Sequence, residues 1–453
     1  MSADVIIIGA GAAGLSAARA LSNSGLSVII LESRDRIGGR IFTRHIPSFP
    51  APIELGAEFI HEQPREIWDV VDAAGPTVVE IAESHWQSLG GVLKESNFWP
   101  QWEAIVRQMR EAGAPDQPFR QFIEEMYGAE DQLEIKRLAL DFVEGFNAAS
   151  ADRISVAALV AMEGAATAVG AGAAFRILNG YDQVADWLLA GCDPQRVTLR
   201  LSVVANEIKW SPGVVGVIAN SRAGHSLPSF RAERAVITLP LGVLQAPPGT
   251  PGAVHFNPEL KEKQEAIGKI TMGTVTKIVL RFRERFWERN GFSIQPAGGC
   301  LPPLGFLHSH DEYFPTWWTP LPVRAPILTG WAGGPAAERL ALRGEEFVVG
   351  RALDSLSHML GLGRERLADL LAVWYTFDWQ ADPYARGAYS YIPTGGLDAP
   401  RMLGEPVEGT LFFAGEATDL DGQNGTVHGA MASGRRAAGE VIQERHSSRS
   451  RPD

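Results

Sequence analysis

The chain is poor in cysteine. Cys192 and Cys300 are the only cysteines among 453 residues. Two cysteines predict neither a disulfide framework nor a metal site built from thiolates, and such low usage is typical of a reducing compartment. We therefore expect a cytoplasmic protein whose chemistry needs no metal.

Long apolar runs and an excess of positive charge are also missing. The longest weakly charged stretch, “VAALVAMEGAATAVGAGAAF”, is interrupted by Glu163 and indicates a buried helix or helix pair, so no membrane span is expected. The N-terminal apolar run is too short for a signal peptide and has no basic leader. The net charge of −12 argues against nucleic-acid binding and is compatible with a cationic substrate.

The first residues contain a glycine-rich turn between two apolar segments. Val5–Ile8 is an uncharged β-branched run, typical of a strand buried on both faces of a parallel sheet. Gly9, Gly11 and Gly14 form the pattern G-x-G-x-x-G, and the apolar positions after it predict a helix. The next strand ends in Glu32, at the spacing where an acidic side chain binds a ribose. A glycine turn alone is often a packing device, but strand, turn, helix, strand and acid together predict a dinucleotide-binding unit.

The hydrophobic period changes along the rest of the chain. Residues 63–190 show amphipathic helical patterns, and strand-like segments such as “GVVGVIAN” follow them. Further strands and helices lead to a final strand, glycine loop and helix. This order predicts an α/β protein with a discontinuous Rossmann-like domain and an inserted α+β substrate-binding domain. The expected Rossmann-like parts are residues 1–75, 192–266 and 382–453, and the expected substrate domain is residues 76–191 and 267–381.

Six motifs spread over nearly the whole chain occur in the order of a known family. They are “GAGAAGL…LE”, “RIGGR”, “LGAEFIH”, “TKIVLRF”, “WQADPYARGAYSY” and “FFAGEAT…GTVHGAMASG”. With these motifs the chain resembles the flavin amine oxidases, which include monoamine oxidases, polyamine oxidases and lysine-specific histone demethylases. The resemblance implies FAD rather than NAD, so the Rossmann-like domain is predicted to bind FAD. It also implies hydride transfer from an amine to the flavin, with dioxygen as acceptor and hydrogen peroxide as product.

The resemblance assigns catalytic roles to four residues. A lone lysine in a strand, such as Lys277, is usually a surface charge, but the family's lysine in this strand holds a water beside the reactive flavin nitrogen. Tyr389 matches the tyrosine that aligns the amine before the flavin. Thr426 stands where monoamine oxidases carry a second tyrosine. His61 matches a histidine near the cavity of polyamine-oxidising branches, although histidines more often satisfy local hydrogen bonds.

The resemblance also implies how FAD is held. Ala388 occupies the position where monoamine oxidases carry the cysteine that bonds to the flavin, so FAD is expected to bind non-covalently. Arg34 and Arg40 suit its diphosphate by charge, and the family's tryptophan at Trp379 lies along the cofactor. Taken alone, Glu416 is equally typical of a helix cap. The predicted FAD-binding residues are Gly9, Gly11, Gly14, Glu32, Arg34, Gly39, Arg40, Gly56, Ala57, Glu58, Val203, Trp379, Gly415, Glu416, Thr426 and Val427.

The substrate is predicted less directly. The negative net charge, Thr426 and His61 favour a polyamine or a secondary amine over a small aromatic monoamine. Glu62 and Glu163 are candidate partners for a distal ammonium, although carboxylates are more often solvated. The alternatives are a monoamine oxidase, an L-amino acid oxidase, a carotenoid-type desaturase and, outside catalysis, a flavin-stabilised protein that binds amines or peptides. The oligomeric state stays open.

Overall fold

The computed structural model describes residues 1–47, 49, 51–81, 84–96, 98–169, 172–288 and 304–449, so Cys300 lies outside the described residues. Within them the strands are β1 (Ser2–Ile8), β2 (Val28–Leu31), β3 (Thr43–Arg44), β4 (Ile53–Glu54), β5 (Phe59–His61), β6 (Val78–Glu80), β7 (His85–Leu89), β8 (Val92–Glu95), β9 (Ala174–Ile177), β10 (Val197–Arg200), β11 (Val203–Ser211), β12 (Val214–Ser221), β13 (Phe230–Ile237), β14 (His255–Asn257), β15 (Thr271–Met272), β16 (Val275–Phe282), β17 (Phe306–His308), β18 (Thr316–Trp318), β19 (Ile327–Gly333), β20 (Leu371–Thr376), β21 (Ser390–Tyr391) and β22 (Leu411–Phe413). The helices are α1 (Ala12–Asn23), α2 (Arg65–Ala74), α3 (Phe98–Ala112), α4 (Phe119–Met126), α5 (Leu133–Phe146), α6 (Val156–Ala168), α7 (Asp182–Ala190), α8 (Leu241–Leu244), α9 (Lys261–Gly268), α10 (Pro335–Leu340), α11 (Glu345–Leu360), α12 (Arg364–Leu370), α13 (Ala399–Gly404) and α14 (Val427–Arg449).

The largest sheet combines strands from three distant parts of the chain. Its strand order is β10-β2-β1-β13-β12-β11-β14, and β22 pairs with the second half of β13. The strands β10, β2, β1, β13 and β22 run parallel, whereas β12 is antiparallel to both of its neighbours. Val5–Ile8 and Val28–Leu31 are buried throughout, as expected for parallel strands covered on both faces. The sheet therefore has the α/β architecture predicted from the first βαβ unit.

Helices α1 and α14 pack against each other beside this sheet. A Cβ atom built on Gly434 of α14 would lie 2.2 Å from the carbonyl oxygen of Ala13, so the two helix backbones nearly touch there. The hydroxyl of Ser16 also donates a hydrogen bond to the carbonyl oxygen of Met431, at 2.8 Å. The last helix of the chain thus fixes the position of the first turn of α1.

A second sheet has the order β20-β16-β19-β18-β17-β7-β8. Ile278, Leu280 and Phe282 of β16 belong to the apolar core that α10, α11 and α12 form with this sheet. Because side chains alternate along a strand, Lys277 and Val279 face the opposite side, where Val279 packs with apolar residues of β4 and its surroundings. The alternation therefore turns Lys277 away from the helical layer.

A separate apolar cluster joins α3, α4, α5 and α6. The alanine-rich stretch noted in the sequence forms α6, whose first turn is capped by Ser155, because its hydroxyl accepts a hydrogen bond from Ala158 N at 2.9 Å. The neighbouring segments also contain β6 to β9, which the sequence pattern had not indicated. Among the described residues, no helix combines the length and apolar character needed to span a bilayer.

Candidate active site

The glycine turn after β1 brings backbone close to backbone. Gly9 has φ +111°, a conformation that side chains disfavour, and a Cβ on Gly14 would lie 2.0 Å from the carbonyl oxygen of Gly9. A Cβ on Gly39, in the “RIGGR” loop, would lie 3.3 Å from the Cα of Gly11. No side chain caps α1 at Gly11. The turn therefore leaves the N-terminal amides of α1 to an anionic ligand such as a diphosphate.

Glu32 lies at the carboxyl end of β2 with its carboxylate fixed by the backbone. One carboxylate oxygen accepts from Ala10 N at 2.8 Å and the other from Arg34 N at 2.9 Å. Ser33 Oγ also donates to the second of these oxygens at 3.2 Å. The oxygen bound by Ala10 N has a second lone pair, so the carboxylate can still accept from a ribose hydroxyl. Val203 N donates to the Glu32 carbonyl at 2.8 Å, which places Val203 beside it.

The two arginines expected at the diphosphate both form ion pairs. Arg34 Nη2 lies 3.0 Å from Asp382 Oδ2, while Arg34 Nε is buried and without a hydrogen-bond partner among the described residues. Arg40 Nη1 donates to Glu416 Oε1 at 2.8 Å and to the Ala388 carbonyl at 2.7 Å. A buried donor without an acceptor fits an acceptor-rich ligand such as FAD. The FAD contacts of both arginines stay predictions.

Glu416 connects the last segment of the chain to this region. Its Oε2 accepts from Ser390 Oγ at 2.6 Å and from Gly425 N at 3.0 Å, in addition to the Arg40 contact at Oε1. The carboxylate is thus satisfied by protein groups, which indicates that it orders the site. A Cβ on Gly415, by contrast, would meet no atom within 4 Å, so the backbone there faces open space.

Lys277 is almost fully buried, with 3% of its surface exposed. Its Nζ lies 2.5 Å from Glu58 Oε2 and donates to the Gly56 carbonyl at 3.2 Å. Glu58 Oε1 accepts from Arg176 Nη2 at 2.8 Å and from Trp318 Nε1 at 3.0 Å. Burial alone would raise the pKa of the Glu58 carboxyl, but the positive charges of Lys277 and Arg176 hold it below its usual range. Sequence reasoning had assigned Glu58 to FAD and had missed its pairing with Lys277 and Arg176.

Tyr389 and Trp379 are both held by hydrogen bonds to backbone carbonyls. The Tyr389 hydroxyl donates to the Phe146 carbonyl at 2.6 Å, and burial raises its pKa. Trp379 Nε1 donates to the Leu55 carbonyl at 2.9 Å, and its ring meets Phe377 edge to face with centroids 4.5 Å apart. Gly425 fits against the Tyr389 ring, since a Cβ there would lie 3.2 Å from a ring carbon. Both aromatic rings are therefore fixed in place.

Thr426 has a structural role that the sequence had not indicated. Its hydroxyl accepts from Gly429 N at 2.9 Å and donates to the Gln423 carbonyl at 2.7 Å, so it caps α14, which starts at Val427. His428 follows on the same turn, and its Nε2 is hydrogen-bonded to the Gln423 side chain. The sequence analysis did not single out His428 or Gln423, although His428 lies within the motif “GTVHGAMASG”.

His61 lies close to His428, and both imidazoles are neutral at pH 7. Burial lowers the pKa of His61 to about 4, and burial together with His61 lowers the pKa of His428 to about 4. Burial and the nearby Glu163 raise the pKa of the adjacent Glu62 to about 7, and Glu163 accepts from Trp102 Nε1 at 3.0 Å. The structure thus places the two candidate carboxylates near each other, and His61 near His428.

Seven rings form a closed loop next to these residues. Neighbouring ring centroids are 4.8–6.1 Å apart, and none of the seven side chains is fully buried. We call this loop the aromatic belt; in order around the loop it consists of His61, Phe59, Phe306, His85, Trp99, Phe142 and Phe146. Burial lowers the pKa of His85 to about 4, so the belt carries no charge at pH 7.

The belt adjoins the predicted catalytic residues. Phe59 meets Trp318 edge to face, with centroids 5.3 Å apart, and Trp318 lies 5.7 Å below Lys277 Nζ. The Phe146 carbonyl accepts the hydrogen bond of Tyr389. No group of three or more acidic, histidine or cysteine side chains suited to a metal occurs in the described parts of the chain. With the parallel sheet and its glycine turn, these contacts describe an α/β protein of the Rossmann-like kind whose aromatic belt adjoins a buried lysine.

Comparisons with known proteins identify the family. Residues 102–442 match the family model described as flavin containing amine oxidoreductase, and residues 7–74 match that of an NAD(P)-binding Rossmann-like domain. The first match covers more than half of the chain, so the protein belongs to the flavin containing amine oxidoreductase family. A flavin family on a Rossmann-like fold confirms the predicted cofactor, FAD, and the predicted fold class.

Similar curated proteins fall into two groups. Lysine-specific histone demethylase 1B from Mus musculus is 27% identical over 464 residues, which cover 96% of this chain and 52% of the relative. Polyamine oxidase 3 from Oryza sativa subsp. japonica is 30% identical over 484 residues, which cover 96% of this chain and 88% of the relative. The chain therefore spans about half the length of the demethylases it matches.

Solved structures agree on the fold. Putrescine oxidase bound to putrescine aligns with a TM-score of 0.77 at 20% identity and covers 98% of this chain and 99% of that chain. Cyclohexylamine oxidase from Brevibacterium oxydans IH-35A gives the same TM-score and coverage at 22% identity. At such identities the likeness concerns the fold alone.

Proposed function

We propose that this protein is a flavin-dependent amine oxidase. The observation that carries the proposal is the buried Lys277, which is held by Glu58 and lies over the Trp318 ring that contacts the aromatic belt. FAD held by these residues would supply a two-electron acceptor for the hydride on the carbon next to the amine nitrogen, with dioxygen as the final acceptor and hydrogen peroxide as the product. The amine also loses a proton and becomes an imine, which water converts to a carbonyl compound and an amine.

The residues of the site favour the neutral form of the amine. His61 and His428 are neutral at pH 7. A site that excludes water disfavours an ammonium group at the reacting end of the amine. The fixed Tyr389 ring is suited to align the amine, because its hydroxyl is already bound to the Phe146 carbonyl. Lys277 supplies a fixed positive charge of the kind that stabilises developing negative charge.

We propose a polyamine or a secondary amine as the substrate. Glu62 follows His61 in the chain and lies near Glu163, and burial raises the pKa of both carboxyl groups, so both would gain from a nearby cation. A distal ammonium near these groups would favour their ionised form and gain a charge-assisted hydrogen bond. The similar proteins named polyamine oxidases support the same choice.

A monoamine with a large apolar body is the second candidate. The aromatic belt favours it, because seven uncharged rings bind alkyl or aryl groups better than they bind a solvated ion. This candidate keeps the same chemistry at the amine end. It differs in needing no carboxylate at the distal end.

Steady-state kinetics separates the two substrates. If a polyamine is preferred, spermidine or spermine should have a higher kcat/KM than benzylamine or phenethylamine. Glu62→Gln or Glu163→Gln should then raise the KM for spermidine roughly tenfold, the loss of about 1.4 kcal/mol expected for a bond to a charged group. The exposed Glu80→Gln is the control. A higher kcat/KM for benzylamine would select the second candidate.

Anaerobic mixing tests the proposed chemistry itself. Amines should bleach the flavin absorbance, and admission of dioxygen should restore it with release of peroxide. Lys277→Met keeps most of the apolar stem and should slow flavin reduction, reoxidation or both while FAD stays bound. A panel in which amines, polyamines and amino acids all leave the flavin oxidised would instead support a binding protein.

A further inference from the structure

The Glu58 carboxylate is the centre of a hydrogen-bonded cluster that joins three strands. Lys277 comes from β16, Arg176 from β9 and Trp318 from β18, and all three donate to this one carboxylate. The Glu58 side chain retains 10% exposure and the Lys277 side chain 3%. A cluster so placed is more than a surface ion pair, because neither charge is screened by water.

We propose that Glu58 is a positioning residue for Lys277: it fixes Nζ at one point of the site and keeps the ammonium charged there. This inference rests on the proposed function, which gives Lys277 its role. The sequence analysis had assigned Glu58 to the binding of FAD. In this proposal Glu58 acts through Lys277 instead.

The geometry around Nζ supports this role. A lysine side chain is flexible, so a buried ammonium needs fixed acceptors to stay in one place. Within the described residues Nζ has two, Glu58 Oε2 at 2.5 Å and the Gly56 carbonyl at 3.2 Å. An ammonium has three N–H bonds, so one donor remains for a water or a ligand. The two protein acceptors therefore also set the direction of the third bond.

Glu58 is itself prevented from turning away. Its Oε1 is held by Arg176 Nη2 at 2.8 Å and by Trp318 Nε1 at 3.0 Å, and Arg176 Nη1 is anchored on the Leu321 carbonyl at 3.2 Å. The carboxylate thus has separate partners on each oxygen. Arg176 and Lys277 together give the trio one net positive charge.

Glu54 provides a matched comparison. It is a second buried carboxylate close enough to interact electrostatically with Lys277, Glu58 and Arg176. Its hydrogen bonds go elsewhere, to Thr43 Oγ1 at 2.7 Å and Tyr181 N at 2.8 Å. Above pH 7, where Glu54 is ionised, Glu54→Gln therefore removes a charge near the lysine without removing a hydrogen bond from it.

The first test measures coupling without turnover. Urea unfolding of the FAD-free protein is compared for Glu58→Gln, Lys277→Met and the double variant. Each single variant should increase the equilibrium constant of unfolding. If Glu58 holds Lys277, the increase in the double variant should be at least fivefold smaller than the product of the two single increases. The same cycle for Glu54 and Lys277 should give a clearly weaker coupling. Additive effects for Glu58 and Lys277 would overturn the proposal.

The second test follows the charge of the lysine during the reaction. A buried ammonium that has lost its counter-ion releases its proton more readily. The flavin reoxidation rate of Glu58→Gln should therefore equal that of the parent at pH 6 and fall to nearly that of Lys277→Met by pH 9. The reoxidation rate of Glu54→Gln should not fall toward that of Lys277→Met over this pH range. Glu58→Asp, which keeps the charge, should retain the parent's profile and serves if Glu58→Gln does not fold.

A uniform loss at every pH would indicate a merely structural role and reject the proposal. A protein that oxidises no amine would contradict the proposed function but leave the coupling test valid.

Discussion

Two cations at the site are each paired with a carboxylate. Lys277 is paired with Glu58, and Arg40 with Glu416, each within hydrogen-bonding distance. Lys277→Met leaves Glu58 with Arg176 as its remaining cationic partner, so its cost in stability should be smaller than the roughly 3–5 kcal/mol typical of a buried charge left alone. Part of any effect of Lys277→Met on flavin reduction or reoxidation will therefore come from the altered environment of Glu58. The stability of the variant has to be measured together with the rates of both half-reactions.

At residue 388 the side chain decides how FAD is attached. Ala388 has no nucleophilic atom, while its carbonyl accepts from Arg40 and its amide donates to Gly273. We predict that acid precipitation leaves all of the flavin absorbance in the supernatant as FAD. Colour that stays in the protein pellet after washing would contradict this expectation.

Buried histidines should make the protein sensitive to acid. Burial lowers the pKa of His61, His85 and His428 to about 4 and that of His308 to about 3, compared with about 6.5 in the unfolded chain. Between these values the histidines bind more protons in the unfolded chain, so their contribution to the free energy of unfolding falls as the pH drops from 6.5 to 4. Burial also raises the pKa values of carboxyl groups, to about 7 for Glu54 and Glu62 and in the same direction for Glu144, Glu163, Asp186 and Asp419, and these groups oppose the slope. The histidine contribution is therefore measured by substitution.

Urea unfolding between pH 4 and 7 checks this prediction. His308→Gln should reduce the slope by at most about 1.4 kcal/mol per pH unit, the effect of one proton. His225→Gln, at an exposed position, should keep the parent's slope. Equal slopes for His308→Gln and the parent would show that His308 does not titrate as expected.

At the scale of elements, the contact between α1 and α14 links the last helix to the predicted phosphate site. Gly434→Ala would place a Cβ 2.2 Å from the Ala13 carbonyl, so the helices must separate. We predict a loss of about 1–3 kcal/mol in unfolding free energy, as for other overpacked contacts, and weaker FAD binding. Urea unfolding and FAD titration measure the two effects.

Gly439 of the same helix is the matched control. A Cβ there would meet no atom within 4 Å. Gly439→Ala should therefore stabilise the protein by roughly 0.5–1 kcal/mol, because alanine favours the helix and restricts the unfolded chain. If both alanine variants changed stability alike, the close approach of the helices would not be the cause.

Local patterns could predict only some of these elements. β1, α1 and β2 were predictable because a β-branched run, a glycine turn and an apolar helical face follow one another within about thirty residues. Strands β6 to β9 were not, since they contain three to five residues and show too little alternation. The capping role of Thr426 was also missed, because the family resemblance had placed this residue in the substrate cage.

At the scale of the whole molecule, the site depends on contacts that no local pattern records. Glu58 and Arg176 are 118 residues apart in sequence, and they meet because β5 pairs with β9. The aromatic belt likewise combines rings from residues 59–146 with Phe306. Motifs that the family shares were predictable by resemblance, whereas these pairings needed the folded chain.

The distribution of the FAD-binding residues leads to a last prediction. Predicted contacts come from the first βαβ unit, from Val203 and from the segment around Glu416, so bound FAD would join three distant parts of the chain. A ligand that binds only the folded state stabilises it by about 2.7 kcal/mol at a free concentration 100 times Kd. FAD should therefore raise the Tm of the FAD-free protein by several degrees, and NAD should not. Gly14→Ala, with a Cβ 2.0 Å from the Gly9 carbonyl, should lose most of that shift. An equal shift with NAD would show that the Rossmann-like domain does not select the flavin dinucleotide.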